Sequence, residues 1–224
     1  PYTTLFRSSI TLSVNRERTN VIMGKEIRCL WGQGYITDYI GTVKYRISPL
    51  SFYQVNPVQT KKLYEKAISL AGLTGNERVL DAYCGIGTIG LIASRDAREV
   101  ISVELNPDAV RDAVTNAKRN QIKNVSFYQN DAGAFMVSMA EKGEKADVVF
   151  MDPPRAGSDE AFLSSVVTLS PKKVVYVSCN PETLARDLRY LTKHGYKAEE
   201  AWGYDMFAWS EHVETVCLLT QKKA

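Results

Sequence analysis

The sequence predicts an α/β fold: a doubly wound, mainly parallel sheet covered by helices, with an antiparallel C-terminal hairpin and a partial β-rich segment in front. Three observations lead there. β-Branched apolar runs at 79–81, 100–103, 125–128, 148–151 and 174–177 read as buried strands. Helical stretches separate them, the alternation that builds a parallel sheet. Two last strand-like runs, 196–205 and 213–219, follow one another with no helix between, which favours a hairpin.

In chain order, residues 10–14, 35–40 and 42–47 alternate apolar and polar positions between polar turns. They define a β-rich unit over 1–50 with too few strands to close a sheet of its own, so its earlier part is expected to be missing. The opening residues 1–8 lack an initiator Met and read as extraneous to the native protein. The larger unit spans 51–224. It opens on an amphipathic helix at 56–72, with Leu63, Ala67, Ile68 and Leu70 as its apolar contributors. Further helices are predicted at 86–94, 107–120, 132–142, 160–169 and 181–193, where Pro107 and Pro181 suit a first helical turn.

With 224 residues, 45% of them hydrophobic, the chain can bury a sizeable core. It contains no apolar run of membrane-spanning length and no signal-peptide pattern, so a cytoplasmic location and no membrane partner are expected. Cys29, Cys84, Cys179 and Cys217 are widely spaced without CxxC pairs, which predicts reduced thiols and no metal site. A net charge of +3 is compatible with a polyanionic partner but does not select one.

The turn after the first parallel strand, Asp81-Ala82-Tyr83-Cys84-Gly85-Ile86-Gly87-Thr88-Ile89-Gly90, contains GxGxxG, whose glycines let a ligand approach the backbone. With Glu104 ending the next strand, this pattern also suits a nicotinamide or flavin site. Asp81 separates the two readings: an acid just before the glycines repels a pyrophosphate but suits the cationic, phosphate-free methionine portion of S-adenosylmethionine. Glu104 then accepts the ribose hydroxyls and Asp131 is placed for the adenine amino group. Tyr83 and Ile86 are candidates for packing on adenosine or, equally, in the core.

Asp152-Pro153-Pro154-Arg155 follows a strand, so its rigid prolines present polar groups at the sheet's C-terminal edge. In amino-group methyltransferases an aromatic residue follows such a Pro-Pro turn; Arg155 here argues against an exocyclic amine as target. Cys179, in Ser178-Cys179-Asn180-Pro181, reaches the same edge next to a helix start, which favours its thiolate. A buried apolar cysteine is the plain alternative. A thiolate there suits a pyrimidine whose carbon 5 needs activation by addition at carbon 6, followed by loss of the carbon 5 proton to a base. Glu214 meets that need, with His212 either assisting or orienting the loop. His194 reads as a helix C-terminus.

Taken together, Ser51-Phe52-Tyr53-Gln54-Val55-Asn56, the glycine loop, Val103-Glu104-Leu105-Asn106, Asp152-Pro153-Pro154-Arg155, Ser178-Cys179-Asn180-Pro181 and His212-Val213-Glu214 resemble the uracil-C5 RNA methyltransferases. The wording of the first and last of these is similar to the bacterial ribosomal RNA branch. The resemblance covers about 48–219. It implies the Rossmann-like methyltransferase fold, S-adenosylmethionine as cofactor, and RNA as partner, ribosomal rather than transfer, with no obligate protein partner. It further implies that Gln54, Tyr83, Thr88, Glu104, Asp131 and Asp152 line the cofactor site. Cys179 becomes the nucleophile and Glu214 the proton acceptor, with Phe52 and Arg155 beside the target uridine. Two features depart from the family: Ala208 stands where it usually has proline, and neither the N-terminal β-barrel nor the cysteine cluster of some relatives is present.

Overall fold

The computed structural model describes residues 9–16, 23–24 and 26–222; the reading of 1–8 as extraneous lies outside them. Strands β1 (Ser9–Val14) and β2 (Glu26–Gly32) form one antiparallel ribbon, and β3 (Ile36–Ile40) and β4 (Val43–Ile47) form another. The sequence reading missed β2, because the strand is exposed nearly throughout and shows no buried–exposed alternation.

The chain then runs α1 (Pro57–Ala71), β5 (Arg78–Asp81), α2 (Thr88–Ala93), β6 (Glu99–Glu104), α3 (Pro107–Arg119), β7 (Val125–Gln129) and α4 (Ala132–Glu141). It continues with β8 (Val148–Met151), α5 (Glu160–Leu169), β9 (Lys173–Ser178), α6 (Pro181–Lys193), β10 (Tyr196–Tyr204) and β11 (Glu214–Gln221). Seven strands form one sheet in the order β10-β11-β9-β8-β5-β6-β7. The five from β9 to β7 are parallel, while β11 is antiparallel to both β9 and β10. Among the described residues no helix is long and apolar enough to cross a membrane.

Adjacent residues of the central strands feed two cores on opposite faces. Val79, Val148, Phe150, Val175 and Val177 pack with α1, α2 and the β3–β4 ribbon. Leu80, Val149, Met151, Val174 and Tyr176 pack with α4, α5 and α6. Burial of such side chains stabilises by about 1.5–3 kcal/mol each, which explains why runs apolar at successive positions form these strands. At the β10 edge, Lys197, Glu199 and Glu200 remain exposed, a charge pattern that discourages further strand pairing.

Helix starts follow one chemical rule. The side chains of Asn56, Asn106, Asp131, Asp159 and Asn180 accept a hydrogen bond from a first-turn N–H of α1, α3, α4, α5 and α6, respectively. The helix predicted from 86 begins instead at Thr88, because Gly85 and Gly87 have φ values of 52° and 85° and hold the preceding residues in a left-handed turn. The β3–β4 ribbon is fastened to α3: Asn116 and Asn120 each accept from and donate to its backbone, at Arg46 and Lys44.

Candidate active site

A cleft of about 530 Å³ opens at the C-terminal ends of β5, β6, β8 and β9. The strand order reverses direction beside β5, between β6 and β8, and ligands of open α/β sheets bind at such a switch point. Phe52, Gln54, Tyr83, Thr88, Glu104, Asp152, Arg155, Cys179 and Glu214 all line this cleft. Asp131 does not: it is exposed, and its Oδ1 accepts from Ala134 N at 2.9 Å as the N-cap of α4. Sequence reasoning overlooked Tyr64, which reaches the cleft from the buried side of α1.

One end of the cleft is built to surround a polar ligand. Glu104 Oε2 accepts from Gly85 N at 3.0 Å and its Oε1 accepts from Asn106 N at 2.8 Å, leaving each oxygen a free lone pair. A Cβ added at Gly85 would meet nothing within 4 Å, so the backbone there faces open space. Gln54 is 8% exposed and its buried Oε1 has no partner. Such an orphaned acceptor costs roughly 1–3 kcal/mol unless a ligand donor satisfies it.

Asp81 does not occupy the place expected of it. It is fully buried behind the loop, where Oδ2 accepts from Gly90 N at 2.8 Å, and it is absent from the cleft lining. Burial, with a smaller contribution from Glu104, pushes its carboxyl up to about 7. Its repulsive effect on a pyrophosphate is therefore weaker than the sequence implied, since the group is largely protonated at mildly acidic pH. A carboxyl raised on folding favours the native state below its unfolded pKa and loses that contribution as pH climbs towards its folded value. Thermal unfolding should accordingly show stability falling by a few kcal/mol at most between about pH 4 and pH 7, with Asp81→Asn flattening the decline. An unchanged pH profile in that variant would refute this assignment.

The other end holds the thiol. In the antiparallel β9–β11 register the last pair is Ser178 with Thr215, so Cys179, one residue past the end of β9, and Glu214, the first residue of β11, come together at the sheet edge. Both line the cleft, and the Glu214 charge acts on the thiol. Cys179 is half-buried and Glu214 is 3% exposed. Burial raises the Glu214 carboxyl. Asp152 is pushed up to about 8, chiefly by its own burial and then by Glu214 and Asp81, and burial followed by Glu214 and Asp152 raises the Cys179 thiol, with Arg155 opposing. The helix start was expected to favour thiolate; burial and two carboxyls outweigh it.

Arg155 is held from α6. Its carbonyl accepts from Asn180 Nδ2 and Thr183 Oγ1, both at 3.4 Å, while its guanidinium meets the two ring nitrogens of His212 at 3.0 and 3.4 Å. The turn beyond it is pinned by Asp187, which accepts from Ser158 N at 2.8 Å, and by Arg186, which donates to the carbonyls of Ala156 and Ser158. A second, polar pocket of about 470 Å³ adjoins the cleft and shares Arg155 and Cys179 with it. His212 thus contacts Arg155 rather than Glu214. Ala208 lies in a turn closed by Ser210 N to Phe207 O at 3.1 Å, so the turn forms without proline.

The model of the tRNA (uracil-5-)-methyltransferase family matches residues 33–222. The chain belongs to that family. Among its relatives, an uncharacterized RNA methyltransferase of Halalkalibacterium halodurans is 50% identical over 96% of this chain and 47% of its own length. Another from Clostridium tetani is 48% identical over 95% of this chain and 46% of its own. The chain therefore spans about half the length of these family members. The crystal structure of the Pyrococcus abyssi tRNA (uracil-54, C5)-methyltransferase in complex with S-adenosyl-L-homocysteine superposes with a TM-score of 0.78. It is 33% identical, over 98% of this chain and 53% of that one. The family fold is thus the seven-stranded, mainly parallel sheet with an antiparallel C-terminal hairpin seen here.

Proposed function

We propose that this chain methylates carbon 5 of a uridine in RNA, with S-adenosylmethionine as donor, Cys179 as nucleophile at carbon 6 and Glu214 as acceptor of the carbon 5 proton. The observation that carries the reading is that Cys179 and Glu214, each one residue beyond the Ser178–Thr215 pair, line one cleft with the Asp152–Arg155 turn and the unpaired Gln54 Oε1. The residues fit the donor: Glu104 retains acceptor capacity for ribose hydroxyls, Gly85 leaves its backbone open, and Gln54 offers an acceptor to the methionine ammonium. When bound, the donor supplies an electrophilic methyl group.

The chain's own residues do the rest. The sulfur of Cys179 forms a bond to carbon 6, and the displaced π pair makes carbon 5 nucleophilic. After carbon 5 is methylated, the Glu214 carboxylate takes its remaining proton. The freed electron pair rebuilds the double bond as the carbon–sulfur bond breaks, which returns the thiolate. Asp152, largely protonated below about pH 8, is suited to donate a hydrogen bond to a uracil carbonyl. Phe52, 77% exposed at the cleft mouth, offers a face to the base.

Both Cys179 and Glu214 act deprotonated, and both are shifted upward. Single-turnover rates should therefore rise with pH through the neutral range; a rate that fell over that range would contradict these roles. Calorimetry should show S-adenosylhomocysteine binding and no NAD binding. Glu104→Gln should weaken S-adenosylhomocysteine by about tenfold or more, since hydrogen bonds to a charged acceptor contribute roughly 1.5–3 kcal/mol. NAD binding of comparable strength would instead restore the oxidoreductase reading.

We further propose ribosomal RNA as the target and the cytoplasm as the location. Ser51-Phe52-Tyr53-Gln54-Val55-Asn56 and His212-Val213-Glu214 support the ribosomal choice through their wording. Transfer RNA is favoured by the Pyrococcus abyssi relative, which acts on uracil 54 of tRNA. Mass mapping of both RNA pools from a deletion strain decides between them: 5-methyluridine lost from ribosomal RNA supports the first, and loss confined to transfer RNA the second.

A further inference from the structure

Trp209 is completely exposed, at 105% relative accessibility, and has a φ of 70°. It occupies the third position of the turn closed by Ser210 N to Phe207 O, where a positive φ favours glycine. Its placement therefore costs the chain twice: a bulky side chain adopts a left-handed backbone, and a large apolar surface is left in water. Nothing among the described residues repays either cost.

The base of the turn is fixed. Met206 is 2% exposed, its carbonyl accepts from Asn56 Nδ2 at 3.1 Å, and Phe207 packs against the core. On the far side, the Ser210 hydroxyl accepts from His212 N at 3.3 Å. Glu211, His212 and Val213 then line the polar pocket that shares Cys179 and Arg155 with the cleft. An anchored turn thus presents an exposed indole a few residues from the wall of the reactive site.

We propose that Trp209 stacks on an unpaired nucleobase flanking the target uridine, replacing the stacking that the uridine gives up when it turns into the cleft at Cys179. The inference rests on the RNA reading above and adds a base-contacting residue to it. An indole offers a flat apolar face that every base can match, and stacking of this kind contributes enough to weaken binding by roughly 5- to 150-fold when lost. Arg155, paired with His212 in the adjoining pocket, adds cationic character to the path between the two bases.

The test uses a hairpin RNA with 5-fluorouridine in its loop and 2-aminopurine at either flank, bound to the intact protein loaded with S-adenosylhomocysteine. Binding needs no turnover, so it remains readable even if methyl transfer itself is not observed. Wild-type protein should quench 2-aminopurine emission at one flank severalfold, and Trp209→Leu should not. Trp209→Phe should keep RNA affinity within about threefold of wild type, whereas Trp209→Leu and Trp209→Ala lose about tenfold or more. An abasic nucleotide at that flank should weaken wild type and leave Trp209→Ala unchanged. Equal quenching by wild type and Trp209→Leu, equal affinity for Leu and Phe variants, or an effect of Trp209→Ala that no abasic position removes would each overturn the proposal. Melting temperature and S-adenosylhomocysteine affinity should stay at wild-type values, since the indole makes no internal contact that burial would register.

Discussion

Cys179→Ala should lower methyl transfer to RNA by at least about 10⁴-fold while leaving S-adenosylhomocysteine affinity within about twofold, because in the proposed mechanism carbon 5 is activated only by addition of this thiol. The thiol is a poor candidate for a merely structural cysteine. It is half-buried just past a strand end, lines both the cleft and the adjoining pocket, and shares the cleft with the buried carboxyl of Glu214. Cys217 supplies the contrast: it is 1% exposed inside the core formed with α4, α5 and α6, and its substitution should alter stability rather than chemistry. Filter assays with tritiated donor, run beside calorimetry, check both halves of the expectation. Residual turnover within tenfold of wild type in Cys179→Ala would remove the covalent step.

Glu214→Gln has a different signature. It should leave addition and methylation in place but block removal of the carbon 5 proton, so turnover falls by about 10²–10⁴-fold and a covalent protein–RNA adduct accumulates on unmodified RNA. Denaturing gels with labelled RNA read the adduct directly. The amide preserves the shape of a side chain that is 3% exposed, so stability should change little, and removal of a buried acid relieves part of the upward pressure on Cys179. If Glu214→Gln kept its turnover and accumulated no adduct, the proton would be leaving to another group, and Asp152 would be the first to examine; lost turnover without adduct would place Glu214 at or before methylation instead.

The sheet and its helices were legible because their side chains obey strong local rules. Residues 79–80, 148–151 and 174–177 are apolar at successive positions since each strand feeds a core on both faces. Pro107 and Pro181 do open α3 and α6, with Asn106 and Asn180 as caps. Strand β2 was invisible for the complementary reason: an exposed ribbon imposes no buried pattern on its sequence. Nine of the ten expected site residues share one cleft; strand ends pointed to Glu104, Cys179 and Glu214 directly, whereas Gln54, Thr88 and Phe52 came only from the family resemblance.

What sequence could not supply was register and burial. The pairing of Ser178 with Thr215 brings Cys179 and Glu214 to one cleft across some 35 intervening residues, a relation set by strand pairing and not by local composition. Burial also inverted two electrostatic expectations. Asp81 became a hidden anchor for Gly90 rather than a cleft carboxylate, and the Cys179 thiol moved upward despite its place at a helix start. Tyr64 went unnoticed because a tyrosine on the buried stripe of α1 looks like core until the cleft reaches it.

The central claim is a carbon–sulfur bond between Cys179 and the target uracil. The most direct measurement incubates the intact protein with donor and RNA containing 5-fluorouridine, in which fluorine blocks the proton removal assigned to Glu214, and maps the adduct by peptide mass spectrometry. The account predicts a donor-dependent adduct carrying one added methyl group, confined to the peptide that contains Cys179. A methylated adduct on Cys29, Cys84 or Cys217, or methylation that proceeds with no sulfur–uracil bond at all, would contradict it.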